Sequence, residues 1–292
     1  MDKSVLDKFR REQLSAMSQR DPDNRILIYM DILGFKNLVK DHGFDHIIKV
    51  MQQTYDSGAH LEKPPNLTMR DVYHRIMFSD TYLLYAESAG IHVLHAFQSI
   101  DLAGYIYCHL LTLEIPTRGA ISYASFHVVK DNERKCDFYW GDALIEAYEY
   151  EKERDIIGIA VCPSVITAVN NLNQPQENKD YALSLSVQMD GIRWINPFYY
   201  LWDWKSNESL EEFLSRPHSQ RNESLIYIEI RSIRVALDNS TKTKDERIKR
   251  KYLKTLELFE KCLKPTVFEK VIAVLSKLND QELQSMLRRT IP

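Results

Sequence analysis

Hydrophobic and polar positions change their spacing several times along the chain, and each change marks a predicted element. Residues 26–33, ILIYMDIL, form an apolar run that is typical of a buried strand. Residues 75–86, RIMFSDTYLLYA, place a Ser-Asp pair between two apolar runs, which predicts a hairpin. Helical spacing is found in residues 4–18, in 35–58 with a break near Gly43, in 91–114 and in 142–155. Further strands are predicted at 117–130, 136–141 and 156–162, and Pro163 is expected to begin another helix.

The order of these elements predicts an α+β fold. Up to about residue 165 it matches a ferredoxin-like β-α-β-β-α-β arrangement with an extra hairpin, in which helices pack on an antiparallel-rich sheet. After residue 170 the pattern changes to a polar loop at 170–180, an aromatic-rich segment at 191–204 and helical segments with charged linkers. The chain is therefore divided into an N-terminal helix (1–23), an α+β domain (24–170), and C-terminal strands and helices (171–292) that pack on that domain.

Composition limits the partners that the chain can have. Of its 292 residues 44% are hydrophobic and 27% are charged, and the formal net charge is −3. This balance gives no global basic field, so a nucleic-acid partner is not expected. The charge run at 242–254 predicts a solvated helix face.

The cysteines and the N-terminus indicate a cytoplasmic protein. The four cysteines, at 108, 136, 162 and 262, have neither C-x-x-C spacing nor the Cys/His spacing of a zinc site, so we expect reduced thiols that serve packing. The charged N-terminus lacks the apolar core of a signal peptide. No apolar run is long enough for a membrane span.

Two aspartates carry the candidate chemistry. Asp31 interrupts the apolar run 26–33, and Asp80 lies at the tip of the predicted hairpin. If strands 26–33 and 75–80 are neighbours, both carboxylates emerge at one sheet edge, where their repulsion calls for a cation. Hard divalent ions such as Mg²⁺ or Mn²⁺ bind one or two carboxylates together with substrate phosphates. Gly34 and the helix that follows it would suit those phosphates.

Each aspartate alone also has an ordinary structural explanation. An aspartate before a helix can be a cap, and Ser-Asp at a hairpin tip can be a turn. The metal-site hypothesis therefore depends on the pair, each member of which lies at the end of a buried-type strand.

These motifs resemble the class III nucleotidyl cyclase family, and within it the pyrimidine (uridylate or cytidylate) cyclases of bacterial anti-phage defence. YMDILGFKNL resembles the family's Asp-Ile-x-Gly-Phe stretch, and FSDTYLLY resembles its Gly-Asp hairpin with Ser79 in place of Gly. YWGDALIEAYEYE resembles the Trp-Gly that precedes the catalytic helix, and TRGAISYAS matches the central strand loosely. The resemblance covers residues 24 to 165 and implies a class III cyclase catalytic domain.

The resemblance implies a reaction and the residues that perform it. A ribose 3′-hydroxyl would attack the α-phosphate of a nucleoside triphosphate and expel pyrophosphate. Two Mn²⁺ or Mg²⁺ ions per site would be bound by Asp31, Ile32 and Asp80. The backbone near the triphosphate would be that of Ile32, Leu33, Gly34 and Phe35. The family works as a homodimer with its active sites at the interface, and the cyclic nucleotide would act on a separate effector protein.

Departures from the family pattern bear on the substrate. Purine cyclases place base-selecting polar residues at positions that correspond here to Ile76 and Phe138. Two apolar side chains favour a smaller base, so the resemblance favours UTP, or CTP, over ATP and GTP. Tyr123 and Asn37 are candidates for reading that base.

The catalytic helix departs from the pattern as well. The family's transition-state Asn and Arg are replaced by Ile145 and Glu149. An active enzyme would need another cation, for which Arg118 on the central strand is the first candidate and Lys36 the second.

Several other functions stay open from the sequence. The missing Asn and Arg fit a catalytically inactive cyclase-fold sensor that binds nucleotide, and a purine nucleotide cyclase remains a second alternative. A different two-metal palm enzyme usually carries a Gly-Gly-Asp/Glu turn, which Ser-Asp matches poorly. An interaction protein would use the aromatic region 192–204 as a docking surface and would need no metal.

Overall fold

The computed structural model of the chain describes residues 24–58, 73–86, 90–131, 136–152, 154–205, 207–217, 219, 223–279 and 281–282. The helix predicted within residues 1–23 lies outside these described residues.

The α+β part begins with a strand, two helices and a hairpin. These are β1 (Asn24–Ile32), α1 (Phe35–His42), α2 (Phe44–Gly58), β2 (Tyr73–Phe78) and β3 (Thr81–Ala86). The next elements are α3 (Val93–Thr112), β4 (Thr117–Ser125), β5 (His127–Asp131), β6 (Cys136–Trp140), α4 (Asp142–Lys152) and β7 (Ile159–Val161). Two short helices and a hairpin follow, namely α5 (Pro163–Asn170), α6 (Gln176–Ala182), β8 (Ser186–Met189) and β9 (Ile192–Ile195).

Helices make up the described part of the chain after β9. A 3₁₀ turn (Leu201–Asp203) precedes α7 (Leu210–Leu214), α8 (Glu223–Lys242), α9 (Glu246–Cys262) and α10 (Pro265–Leu275). Within the described residues, none of these helices, nor any earlier one, combines the length and the apolar character that a membrane crossing requires.

Seven of the strands form one mixed sheet in the order β2-β3-β1-β4-β7-β9-β8. Its pairs are antiparallel except for β4 and β7, which run parallel. Strands β5 and β6 form a separate two-stranded ribbon. The predicted α+β fold, its β-α-β-β-α-β order and its helical C-terminal region are thus confirmed.

Three details of the prediction are wrong. The neighbour of β1 is β3 and not residues 75–80, because the hairpin folds β3 back between β2 and β1. Residues 117–130 form two strands, since the chain leaves the sheet after β4 and enters the β5–β6 ribbon. The predicted loop at 170–180 contains the start of α6, within which Gln176 bonds to Asp180, while Asn178 of the helix donates to the side chain of Gln174 just before it.

Strand β1 lies at the centre of the core. Residues Ile26 to Met30 are almost completely buried, with β3 on one side and β4 on the other. The backbones of β1 and β4 approach so closely at Gly119 that a Cβ atom there would lie 2.1 Å from the carbonyl oxygen of Tyr29. Gly119 therefore allows β1 and β4 to pair along their whole length, which fixes the position of the residues at the end of β1.

The C-terminal part shares the sheet and the core of the α+β part. Strands β8 and β9 extend the seven-stranded sheet, although they lie beyond residue 170. Helix α9 is joined to the segment after α4 by an ion pair between Arg250 and Asp155 and by two 3.1 Å hydrogen bonds between the Thr255 hydroxyl and the backbone of Ile157. Helix α9 therefore packs close to the end of α4.

Candidate active site

Asp31 is the last but one residue of the central strand. Its register partners are Thr81 on β3 and Arg118 on β4. Asp80 belongs to the turn just before Thr81, and its carbonyl oxygen accepts a 2.8 Å hydrogen bond from the N–H of Ile32. Asp31 and Asp80 therefore lie at the same edge of the sheet. The turn is tight, because Ser79 has a positive φ of 56° where the family motif has Gly.

The carboxylate of Asp31 is in an unfavourable environment. Burial raises its pKa above the ordinary value, and the nearby charge of Asp80 raises it further. Arg118 acts in the opposite direction, since its Nε lies 3.4 Å from Oδ2 of Asp31. The charged form is thus only partly compensated, and an additional cation at this edge would stabilise it.

The donors at this edge suit a hard divalent cation. Asp31 and Asp80 supply carboxylate oxygens, which Mg²⁺ and Mn²⁺ prefer, and one or two carboxylates suffice when substrate phosphates complete the coordination. The described part of the chain contains no group of three or more His, Cys, Asp or Glu side chains that could hold a metal. The residues therefore fit a site completed by substrate, and they do not fit a closed structural metal centre.

The turn after β1 leads into the N-terminus of α1. The N–H groups of Ile32 and Leu33 donate to the carbonyl oxygens of Asp80 and Pro116, each at 2.8 Å. Gly34 follows in the left-handed conformation with φ 73° and gives α1 no side-chain cap. A helix that begins without a side-chain cap is suited to bind an anion with its first N–H groups. Phosphate contacts would then fall on the residues from Gly34 onward.

The other residues proposed for this turn differ in exposure. Lys36 and Asn37 are exposed on the first turn of α1. Phe35 is half-buried and packs edge-on against Phe44, with ring centroids 6.3 Å apart. Lys36 is thus free to reach toward solvent, whereas Phe35 anchors α1 to α2.

The proposed base-reading residues fall in three different places. Ile76 pairs with Leu83, which pairs with Tyr29, so Ile76 is on the same sheet face as Asp31. Phe138 is 47% exposed on the separate β5–β6 ribbon. Tyr123 is five residues from Arg118 along β4 and thus on the opposite face. The structure does not bring Tyr123 and Asp31 together within one chain.

Helix α4 places an unexpected acid next to Arg118. Ile145 and Glu149, at the positions of the family's Asn and Arg, are both exposed. The buried stripe of α4 consists of Ala143, Ala147 and Glu151, and Glu151 forms an ion pair with Arg118. Glu151 is not among the predicted site residues, although an acid that continues an i, i+4, i+8 alanine stripe is a usable signal.

A second missed residue comes from the C-terminal part. Lys251 on α9 is only 8% exposed and lies 3.8 Å from Asp155. Desolvation and the neighbouring charge of Arg118 lower its pKa, while the charge of Lys251 in turn lowers the pKa of Asp31. The predicted solvated face at 242–254 is therefore wrong at Lys251, because α9 turns this residue toward the core together with Tyr252 and Thr255.

Comparisons with known proteins give similarity to solved cyclase structures alone. No protein-family model and no curated protein sequence matches the chain. The adenylyl cyclase CyaB from P. aeruginosa is 10% identical, with a TM-score of 0.40 over 59% of this chain and 93% of that one. The dimeric guanylyl cyclase domain of the RhoGC fusion protein from Blastocladiella emersonii is 14% identical, with a TM-score of 0.38 over 59% of this chain and 96% of that one.

A third similar structure is a class III adenylyl cyclase-like ATP-binding protein from Pseudomonas aeruginosa. It is 13% identical, with a TM-score of 0.36 over 55% of this chain and 40% of that one. These scores are too low to transfer an activity, so we argue the function from the site's own residues.

Proposed function

We propose that the protein is a metal-dependent pyrimidine nucleotide cyclase. It converts UTP, or CTP, to the 3′,5′-cyclic monophosphate and pyrophosphate. The observation that carries this proposal is the meeting of Asp31 and Asp80 at one sheet edge, directly before the glycine turn that begins α1.

Each element of the site has a task in this reaction. Asp31 and Asp80, with the backbone carbonyl of Ile32, would hold the divalent cations, which when bound stabilise negative charge on the attacking and leaving oxygens. The backbone from Gly34 onward would hold the triphosphate. Arg118, or Lys36 as the second candidate, stabilises the charge that develops on the α-phosphate, in place of the family's Asn and Arg.

Pyrimidine selectivity is supported by the apolar character of two positions. Ile76 is on the Asp31 face, and its side chain cannot hydrogen-bond a purine edge. Phe138 is equally apolar and is exposed on the ribbon. These positions give ATP and GTP no polar contact that would favour them over UTP or CTP.

A homodimer is supported by apolar side chains exposed on one stretch of the chain. Phe138, Trp140, Ile145 and Tyr148 on the β5–β6 ribbon and α4 are each between 45% and 56% exposed. Large apolar groups exposed close together mark interaction surfaces. We propose that a second copy covers them and that active sites form at the interface, with Phe138 reaching the partner's site.

The product would be a second messenger in anti-phage defence that acts on a separate effector protein.

The experiment is incubation of the purified chain with Mn²⁺ and each of the four nucleoside triphosphates, with products identified by mass spectrometry. We expect cyclic UMP or cyclic CMP. Turnover of ATP or GTP alone would favour the purine cyclase alternative. Nucleotide binding without any product would favour the inactive sensor, to which the absence of the family's Asn and Arg points.

Substitutions separate the site from the rest of the surface. Asp31→Ala and Asp80→Ala should each lower product formation at least ~10²-fold, because each removes an oxygen donor from the reacting edge. The matched control is Asp180→Ala on α6, whose exposed carboxylate bonds only to Gln176 among the contacts described. Activity that persists in either site variant would remove the site assignment.

A further inference from the structure

Arg118 lies between two carboxylates that differ in accessibility. The side chain of Asp31 is 18% exposed, whereas that of Glu151 is 2% exposed. Both contact the same guanidinium nitrogen, Nε. Arg118 thus connects the accessible edge of the sheet with a buried acid on α4.

Glu151 is fixed in place by the way α4 packs on the sheet. The hydroxyl of Ser122 donates a 2.7 Å hydrogen bond to the carbonyl oxygen of Ala143, one end of the stripe that Glu151 completes. The rings of Tyr148 and Tyr29 pack edge-on with centroids 6.1 Å apart. These contacts pack α4 against β1 and β4, and the same face of α4 carries the carboxylate of Glu151 to Arg118 on β4.

Stability does not explain this acid. A buried ion pair is often no more stable than a pair of apolar residues of similar volume, so packing alone does not call for charged side chains at positions 118 and 151. Burial raises the pKa of Glu151, which shows that the charged side chain pays a desolvation cost there. A function for the pair of Glu151 and Arg118 accounts for both residues.

We propose that Glu151 is a positioning residue that retains Arg118 beside the active site while leaving Asp31 available to a divalent cation. This inference rests on the proposed metal-dependent function. With Glu151 present, the guanidinium has a buried partner and need not compete with the cation for Asp31. Without Glu151, Asp31 is the one carboxylate that the described contacts leave to Arg118.

The test is a double-mutant cycle read out as the Kd for Mn²⁺, measured by calorimetry on the full chain without nucleotide. Glu151→Gln should raise this Kd by about 10-fold, a typical size for two residues in contact. In an Arg118→Met background the same change should alter the Kd by less than about 2-fold, because the competing guanidinium is gone. An equal effect in both backgrounds would mean that Glu151 contributes only negative charge, and this would overturn the proposal.

Lys251 provides the matched control for charge. Lys251 carries the same positive charge as Arg118, and both charges act on Glu151 and Asp31. The ion pair of Lys251, however, is with Asp155. The Glu151→Gln effect should persist in a Lys251→Met background, where one positive charge is lost and the Arg118 contact remains. If Glu151→Gln no longer changes the Kd in that background, just as in the Arg118→Met background, Glu151 acts through the total charge of the region and not through Arg118. That result would contradict the positioning role.

Two further variants keep the outcome clear. Glu151→Asp retains the charge but shortens the side chain by one methylene, so the same cycle can be run with it if Glu151→Gln fails to fold. An effect on the Kd that depends on Arg118 again supports the proposal, and an effect that does not depend on Arg118 overturns it.

Asp31→Asn should abolish Mn²⁺ binding. If the unsubstituted chain binds no Mn²⁺, or binds it independently of Asp31, the proposed metal site fails and this inference with it. Asp31-dependent binding that Glu151→Gln leaves unchanged overturns the inference alone.

Discussion

Asp31 occupies a strand position whose neighbours, Met30 and Ile32, are buried and apolar. Its pKa is raised by burial and by Asp80, and the partial compensation comes from Arg118. A folded chain keeps such a residue at a cost in stability, which is characteristic of functional sites. In our proposal, this cost is explained by the role of Asp31 as a metal ligand.

Asp31→Asn should make the metal-free protein unfold at a temperature a few degrees higher, because it removes a carboxylate whose charged form the fold disfavours. The sign follows from the raised pKa: the ionised group destabilises the native state at pH values above its ordinary pKa. Thermal unfolding in EDTA measures this effect, with Asp180→Asn as the control. Added Mn²⁺ should raise the unfolding temperature of the unsubstituted chain and leave the variant unchanged. A lower unfolding temperature for the variant in EDTA would contradict this account.

At the residue scale, the sequence revealed the groups at strand ends and missed those that act across elements. Asp31 and Asp80 could be found because each breaks or ends an apolar run. Glu151 has only the signal of an acid that continues an alanine stripe, and no local pattern marks Lys251. The ion pair of Glu151 with Arg118 and the effect of Arg118's charge on Lys251 depend on which faces of α4 and α9 turn toward β4. Tyr123 was proposed as a base-reading residue, but the sequence alone does not give the register between β1 and β4. That register places Tyr123 on the opposite face of the sheet from Asp31.

At the scale of the element, local patterns predicted most helices and strands but not every pairing. The hairpin around Ser79 and Asp80 follows from its turn residues, whereas the insertion of β3 beside β1 is set by long-range pairing. Helix α6 was missed because its segment is polar, and polar side chains stabilise it through hydrogen bonds of their own. The local sequence therefore predicts whether a segment is a helix or a strand better than it predicts which elements lie beside it.

One contact between elements should make stability depend on pH. Glu229 on α8 accepts hydrogen bonds from the N–H groups of Tyr200 and Leu201 at 2.9 and 2.8 Å, and so holds α8 to the 3₁₀ turn. Burial raises its pKa to about 8. Between its ordinary pKa and that value the native state keeps a proton that the unfolded chain releases, so the free energy of unfolding falls as pH rises.

Glu229→Gln should flatten this dependence, since glutamine does not titrate. From about pH 6 to about pH 9 the variant should lose on the order of 2 kcal/mol less unfolding free energy than the unsubstituted chain. Urea unfolding at several pH values measures the slope of the unfolding free energy against pH. The slopes are compared, and not the absolute free energies, because glutamine cannot accept both hydrogen bonds and this difference changes the stability of the variant at every pH. Equal slopes for the two proteins would show that Glu229 does not carry the dependence.

At the scale of the whole molecule, the C-terminal part is joined to the candidate site. Strands β8 and β9 complete the sheet, and α9 brings Lys251 near Arg118. The sequence predicted that this part packs on the α+β domain, but the pairing of β9 with β7 joins residues far apart in the chain and has no local signal. Residues beyond 170 are thus part of the environment in which the proposed reaction takes place.

The central claim is that Asp31 and Asp80 hold divalent cations together against a triphosphate. Its most direct test is anomalous diffraction at the manganese edge from crystals grown with Mn²⁺ and a non-hydrolysable UTP analogue. The account predicts manganese in contact with both carboxylates and with the phosphates of the analogue. Manganese found elsewhere, or the two carboxylates pointing to opposite sides of the molecule, would contradict it.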